Sequence, residues 1–349
     1  MSSERKTKRR RQKNHDNNYD NWEYEEIHKE INCIDDLIEL GQLYDRKKRK
    51  RYNIDLRSLY NLINPLTKLK NIIGMSSVKK TIVNQIIYYL QDLEDNKDNM
   101  MHTVIQGPPG VGKSLLGRII GDIYFNMGVI KSSFSNHRFE DYRKRYPFKI
   151  ARRSDLIGRY LGETAIKTQE VIDESYGGVL FIDEAYSLGN EEGRDSFSKE
   201  CIDTLNQNLT ENKRNFLCII AGYKDSLDKC FFAYNDGLKR RFPFVYEIEK
   251  YTPRNLEAIF HKMLEDMNWK MKDIEDNFFV DNYDYFTNFG GDIESLIFKC
   301  KIEHSKRVFC LPKEEKKILT KKNINKGFEE FKKHKKVKKE KSLIKNIYL

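Results

Sequence analysis

The 349 residues carry 39% hydrophobic and 34% charged side chains and a formal net charge of +11. That length exceeds one average domain, so two packed units are expected, and no apolar run approaches the roughly 18 residues of a membrane span, which excludes a helical membrane protein. The opening MSSERKTKRRRQK is basic with no apolar stretch after it, which predicts an intracellular chain, cytoplasmic or nuclear, and not a secreted one.

Residues 1–52 are charged and Asn-rich, with a short apolar pattern around Ile31 to Leu43, and predict a basic, loosely ordered arm holding one helix. The positive excess sits in ERKTKRRRQK near the start, DRKKRKR at 45–51 and FKKHKKVKKEK at 331–341. Such runs are solvated and attract polyanions, so they read either as solubilising tails or as nucleic-acid contacts or nuclear-targeting signals.

From Leu69 the pattern changes. Val78, Ile82, Val83, Ile86, Ile87 and Leu90 recur at helical spacing behind Ser76 and Ser77, and the polar EDNKDN ends that helix. Strand-like and helix-like runs then alternate. HTVIQ, FKIA, VLFID and FLCIIAG predict strands, and KSLLGRIIGDIYF, TAIKTQEVIDES and FSKECIDTLNQNL predict helices. This alternation predicts an α/β unit over 53–250, a parallel sheet covered by helices on both faces. After Tyr251 the strands stop. Pro253 opens a helix with Leu256, Ile259, Phe260, Met263, Leu264 and Met267 on one face. Further helices carry Ile293, Leu296, Ile297 and Cys300, then Ile324, Phe328 and Phe331. Residues 251–331 are therefore expected to form a small all-helical lid, and 332–349 a basic C-terminal tail.

The six cysteines are scattered, with no C-x-x-C pair, as reduced thiols are. Cys300, His304 and Cys310 lack a fourth metal ligand, and Cys300 falls on the apolar face of a helix, so core packing is expected there.

Three stretches carry chemistry. GPPGVGKS (Gly107, Pro108, Pro109, Gly110, Val111, Gly112, Lys113, Ser114) follows a predicted strand and opens a predicted helix, the context that makes G-x-x-x-x-G-K-[ST] a P-loop. Its backbone N–H groups would cradle the phosphates of ATP, Lys113 would reach the β- and γ-phosphates, and the Ser114 hydroxyl would bind Mg²⁺. VLFIDEA ends a buried strand in two carboxylates: Asp183 is placed to hold Mg²⁺, and Glu184 to face the attacking water as general base. NDGLKRRFPF sets Arg240 and Arg241 before an apolar run, either as an ordinary basic turn or as an arginine reaching a neighbour's γ-phosphate.

With the P-loop, VLFIDEAYSL, IIAGYKD and GLKRRF in this order, the chain resembles an AAA+ ATPase. GGVLFIDEAYSL followed by IIAGYKDSLDKCF is most similar to the CbxX/CfqX family, which includes red-type Rubisco activases, and GGDIESLIFKCKIEHSKRVF resembles the cfxQ-like proteins of giant DNA viruses, which implies a possible viral origin. The resemblance implies a P-loop NTPase sheet sandwiched by helices with a helical lid, ATP and Mg²⁺ bound between protomers, and a homo-oligomeric ring, a hexamer. It assigns Gly107 to Ser114 to phosphate, Asp183 to magnesium, Glu184 to water activation, Arg241 to the arginine finger with Arg240 in reserve, and Ile73 and Gly74 to adenine. Tyr223 of AGYKD stands at the sensor 1 position, where many AAA+ proteins have Asn, and Asp292 and Glu294 stand where a sensor-2 arginine is usual.

IGRYLGET, at 157–164, lies between the FKIA strand and the next helix. Alone it reads as a core aromatic or an exposed one. The resemblance matches Tyr160, Leu161 and Gly162 to the aromatic-apolar-Gly pore loop of AAA+ rings. Three functions follow: a motor that remodels a protein client, the same motor directed to nucleic acid by the basic arms, or a nucleotide-dependent scaffold that turns over poorly. The paired GKS and DE motifs argue against the scaffold, which has no need of Glu184.

Overall fold

The computed structural model describes residues 23–45, 47, 50–91, 100–130, 146–160, 162–191, 195–235, 237–312 and 316–345. Residues 1–22 of the basic arm, the linker 92–99, Leu161 and the last residues from 346 lie outside the described residues. Of the described residues, those within 1–71, 79–98 and 122–129 form one compact unit, and those within 72–78, 99–121 and 130–349 form another.

In the first unit a short parallel pair, β1 (Glu23–Glu25) and β2 (Lys50–Tyr52), flanks two packed helices, α1 (Ile34–Gln42) and α2 (Leu56–Lys70). The Asp55 side chain caps α2 by accepting from the Ser58 N–H. Leu37, Leu40, Leu59, Leu62, Leu66 and Leu69 are buried at 3% exposure or less. Gly41 allows the close approach, since a Cβ there would lie 2.7 Å from the Leu59 carbonyl oxygen. The helix expected around 31–43 is thus present and packed, where the composition of the arm suggested loose order. Its apolar face is only four residues wide, and the partner face that completes it lies on α2. Helix α3 (Ser76–Leu90) follows, with Val83 and Ile86 buried.

The second unit is built on five parallel strands in the order β4-β5-β6-β3-β7: β3 (Thr103–Gln106), β4 (Phe148–Ala151), β5 (Val179–Ile182), β6 (Leu217–Gly222) and β7 (Phe244–Glu247). The three inner strands β5, β6 and β3 are buried along their whole length, as a sheet covered on both faces requires, while edge strands β4 and β7 are partly exposed. All four strands expected between 102 and 222 are present, and β7 falls in FPFVYEI.

Between the strands run α4 (Lys113–Asn126), the one-turn α5 (Arg153–Leu156), α6 (Glu163–Asp173), α7 (Ser196–Glu211) and α8 (Lys224–Cys230). Helix α4 lies close on β5 through Gly117, where a Cβ would come within 2.5 Å of the Phe181 ring. Because β6 lies between β5 and β3, the carboxyl ends of three inner strands open side by side. In open α/β sheets that is where ligands bind.

After β7 the chain is almost wholly helical: α9 (Pro253–Asp266), α10 (Phe278–Asp281), α11 (Phe289–Val308) and α12 (Lys321–Lys345), with a two-residue parallel pair β8 (Lys270–Met271) and β9 (Ile318–Leu319). Thr252 caps α9 and Pro253 takes its first position, as the sequence predicts. Phe278, Phe279, Phe286, Phe328 and Phe331 form the aromatic core of this region, with neighbouring ring centroids 5.0 to 6.2 Å apart. Helix α12 continues through the basic run expected to be a tail. Cys300 is fully buried against Gly327, and burial pushes its thiol up to about 12. His304 is buried between Asn323 Oδ1 and the Lys316 carbonyl, and Cys310 is exposed. Among the described residues no group of three or more His, Cys, Asp or Glu could hold a metal ion, and no helix is long and apolar enough to cross a membrane.

Candidate functional site

Gly107 to Ser114 join β3 to α4, as the motif requires. The Gly107 N–H donates to the Gly222 carbonyl at 3.2 Å, so the loop leaves the sheet against the end of β6. Gly110 (φ +71°) and Gly112 (φ +88°) take left-handed conformations that any Cβ would strain. Space beside Gly112 is open, the nearest atom to a Cβ being Met75 Cε at 3.7 Å. The result is a backbone cradle at a helix N-terminus, a geometry that favours anions.

Lys113 is 9% exposed, and its Nζ donates to the carbonyls of Gly107 (3.0 Å) and Pro108 (2.9 Å). Burial pushes its ammonium below the ordinary range, and the Asp183 and Glu184 carboxylates push it back. Ser114 is half-buried one residue on. Asp183 and Glu184 follow β5 directly. The Asp183 N–H still pairs with the Ala151 carbonyl at 3.2 Å, which fixes where its carboxylate starts, and its side chain is half-buried. Glu184 is exposed and sits in the left-handed region (φ 53°, ψ 46°), an uncommon and strained place for a residue with a Cβ. Lys113 thus lies within electrostatic reach of both carboxylates at the end of β5, with Ser114 the next residue on α4. This donor set suits a nucleotide and Mg²⁺: Ser114 and Asp183 offer two hard oxygens, and Mg²⁺ takes its remaining ligands from phosphate and water.

Tyr223, at the end of β6, lies with its ring centroid 5.2 Å from Lys113 Nζ and 5.6 Å from the ring of Tyr186. Ile73 and Gly74 lie in the turn before α3. Gly74 has φ +72°, and a Cβ there would meet the Tyr251 ring at 3.0 Å. Sequence reasoning passed over Tyr251, a buried residue whose hydroxyl donates to the Val111 carbonyl at 2.8 Å. Burial pushes that phenol up to about 12. It bridges the P-loop and the 73–74 turn from a position 140 residues away, so no local spacing signals it.

The expected sensor-2 neighbourhood is also occupied differently. The Gly290 N–H donates to the Gly110 carbonyl at 3.0 Å, which brings the start of α11 onto the P-loop. Asp292 is buried, accepts from the Asn288 N–H at 2.7 Å, and pairs with Lys335 Nζ at 2.7 Å, while Glu294 points to solvent. The cation beside Asp292 comes from α12, 43 residues later.

Arg241 is half-buried and used within the chain: its Nε donates to Thr210 Oγ1 (2.8 Å) and its Nη1 to the Gly237 carbonyl (2.7 Å). Arg240 is exposed and has no hydrogen bond or ion pair among the described residues.

On the 157–164 loop, Tyr160 is 75% exposed and stays out of the core. One oxygen of Glu163 accepts from the N–H groups of Arg159 (2.7 Å) and Tyr160 (3.1 Å), and those bonds hold the Glu163 carboxyl below its usual range. Gly162 (φ +83°) ends the loop with open space around it. Glu163 thus tethers the backbone of Arg159 and Tyr160 beneath an exposed ring.

Residues 103–250 match the family model described as ATPase family associated with various cellular activities (AAA). Over 280 residues the chain is 46% identical to a cfxQ-like protein of Acanthamoeba polyphaga mimivirus, an alignment covering 79% of this chain and 66% of that protein's own length. It is 30% identical over 256 residues to the chloroplastic ribulose bisphosphate carboxylase/oxygenase activase of Cyanidioschyzon merolae, covering 70% of this chain and 82% of the activase. Among solved structures, the AAA domain of FIGL-1 superposes with a TM-score of 0.51 at 17% identity, over 74% of this chain and 81% of that one. At that identity the likeness concerns the fold alone.

Proposed function

The chain belongs to the AAA ATPase family, in its CbxX/CfqX-like branch, and from that premise we propose that it binds ATP with Mg²⁺ and hydrolyses it to remodel a protein client. The observation that carries this reading is that Lys113, with Ser114 the next residue, lies within electrostatic reach of Asp183 and Glu184 at the end of β5, beside a glycine cradle.

In this reading the loop amides from Gly107 to Ser114 bind the phosphates, and Lys113 exchanges its two carbonyl partners for phosphate oxygens. Ser114 and Asp183 would hold Mg²⁺, which would supply charge neutralisation to the phosphates. Glu184 orients the attacking water and takes up its proton at the carboxylate. Ile73 and Gly74 contact adenine, and Tyr251 holds that turn to the P-loop. The subdomain boundaries are 53–250 for the nucleotide-binding part and 251–331 for the lid.

A ring of protomers, a hexamer, would bring a neighbour's arginine to the phosphates. Arg241 takes that role by resemblance, giving up Thr210 and Gly237 when it does so, and Arg240 stands in reserve. Tyr160 would line the pore, and its exposure on a pinned loop supports a gripping role over a packing one. Red-type activases act on Rubisco as named; here the client is a protein of unassigned identity. Fluorescent-ATP titration with sedimentation tests the first half of this proposal: wild type and Glu184→Gln bind nucleotide and assemble, and Lys113→Ala does not bind. Equal binding by Lys113→Ala would overturn it. Capture of a client on the Glu184→Gln trap, lost with Tyr160→Ala, tests the second half.

A further inference from the structure

The groups packed against the Asp183–Glu184 pair include an aromatic couple that the P-loop motifs do not account for. The Tyr186 hydroxyl donates to Glu184 Oε2. Its ring lies 5.6 Å from the ring of Tyr223, which in turn faces Lys113 Nζ. Among the described residues Glu184 Oε1 takes no hydrogen bond.

Tyr186 is held in a built place. It sits on the 3₁₀ turn Ala185–Leu188, whose Ser187 N–H returns to the Glu184 carbonyl at 2.8 Å. Arg153 clamps the far side of that turn: one nitrogen donates to the carbonyls of Ser187 (2.8 Å) and Leu188 (3.1 Å), and the other pairs with Asp195 at 2.8 Å. Gly222 leaves room for the ring, since a Cβ there would lie 2.9 Å from Tyr186 Cδ1. Burial and the adjoining carboxylate push the Tyr186 phenol above its ordinary value, so at neutral pH it is a donor.

An exposed glutamate on a flexible stem samples several rotamers, and each wrong one removes the base from the water it must meet. A donor fixed by two neighbouring elements selects one rotamer and leaves the second oxygen free. We propose that Tyr186 is the positioning residue for the general base, holding Glu184 by Oε2 so that Oε1 meets the attacking water, with the Tyr223 ring bracing it from β6. This rests on the assignment of Glu184 as the base.

Tyr186→Phe removes the hydroxyl and keeps the ring. The expected result is a fall in kcat for ATP of about tenfold or more, because misplacement by a fraction of an ångström is costly, with KM, the ATP dissociation constant and the melting temperature close to wild type. In a Glu184→Gln background the same change should cause no further loss, since there is no longer a base to position. A Tyr186→Phe kcat equal to or above wild type, or a further loss in the Glu184→Gln background, overturns the inference. If Glu184→Gln alone is inactive while Tyr186→Phe is normal, only the positioning role falls. If Glu184→Gln turns over normally, the assignment of the base falls and this inference falls with it.

Discussion

Acidification should weaken this fold through one residue, His102, at the foot of β3. The ring is completely buried: Nδ1 accepts the Cys218 N–H at 3.0 Å, and Nε2 meets the Leu209 carbonyl at 3.1 Å. Those partners require the neutral tautomer protonated at Nε2. Burial lowers its pKa from the ordinary 6.5 to about 4. As pH falls through 6.5 the unfolded chain takes up a proton that the folded chain refuses, so stability declines until pH 4, where both are protonated. At 1.36 kcal/mol per pH unit, the gap between 6.5 and about 4 amounts to about 3 kcal/mol at the acid end. The contribution is complete above pH 6.5.

Urea unfolding of wild type and His102→Gln at half-unit steps from pH 8 to pH 4 measures this. The amide keeps one donor and one acceptor but does not titrate. The variant should begin less stable at pH 8, and the wild-type advantage should shrink by about 3 kcal/mol towards pH 4. Parallel curves would refute the assignment of the acid sensitivity to His102.

Gly110→Ala would place a Cβ 1.9 Å from the Asn288 carbonyl oxygen at a φ of +71°. A left-handed non-glycine residue costs on the order of 1–3 kcal/mol, so nucleotide affinity measured by titration should fall about tenfold or more, and unchanged affinity would contradict the contact between P-loop and α11. Tyr160→Ala should change the unfolding free energy by no more than about 0.5 kcal/mol, the small range of an exposed substitution, while client-stimulated turnover falls; a large loss of stability would mean the ring packs in the core. Arg241→Ala should lower turnover by about a hundredfold or more at unchanged ATP affinity if the finger is shared between protomers, and a larger effect from Arg240→Ala would transfer the role to Arg240.

The strands and the P-loop were legible because their signals are local. A buried strand reads as four apolar residues in a row, and GPPGVGKS carries its own turn and helix start. Asp183 and Glu184 were legible for the same reason, standing at the end of such a strand. Tyr251 was not, because its hydroxyl reaches Val111 across 140 residues of chain. Lys335 was hidden in a basic run whose composition suggests solvent, although it neutralises the buried Asp292. Tyr186 lies within a quoted motif, yet its setting depends on Arg153 and on the adjacent Gly222 and Tyr223, which come from two other segments. The packing of α1 on α2 escaped the composition of the arm because the apolar face that covers it lies past residue 52. Exposure likewise separates core from surface for Tyr160, which spacing leaves open.

The central claim is that this arrangement hydrolyses ATP through Glu184. Steady-state release of phosphate from Mg²⁺-ATP, with ATP binding measured on the same samples, tests it most directly. Wild type should turn over, and Glu184→Gln should bind ATP as tightly while its kcat falls by about a hundredfold or more. A Glu184→Gln variant hydrolysing at the wild-type rate, or a wild type with no Mg²⁺-dependent turnover, would contradict the account.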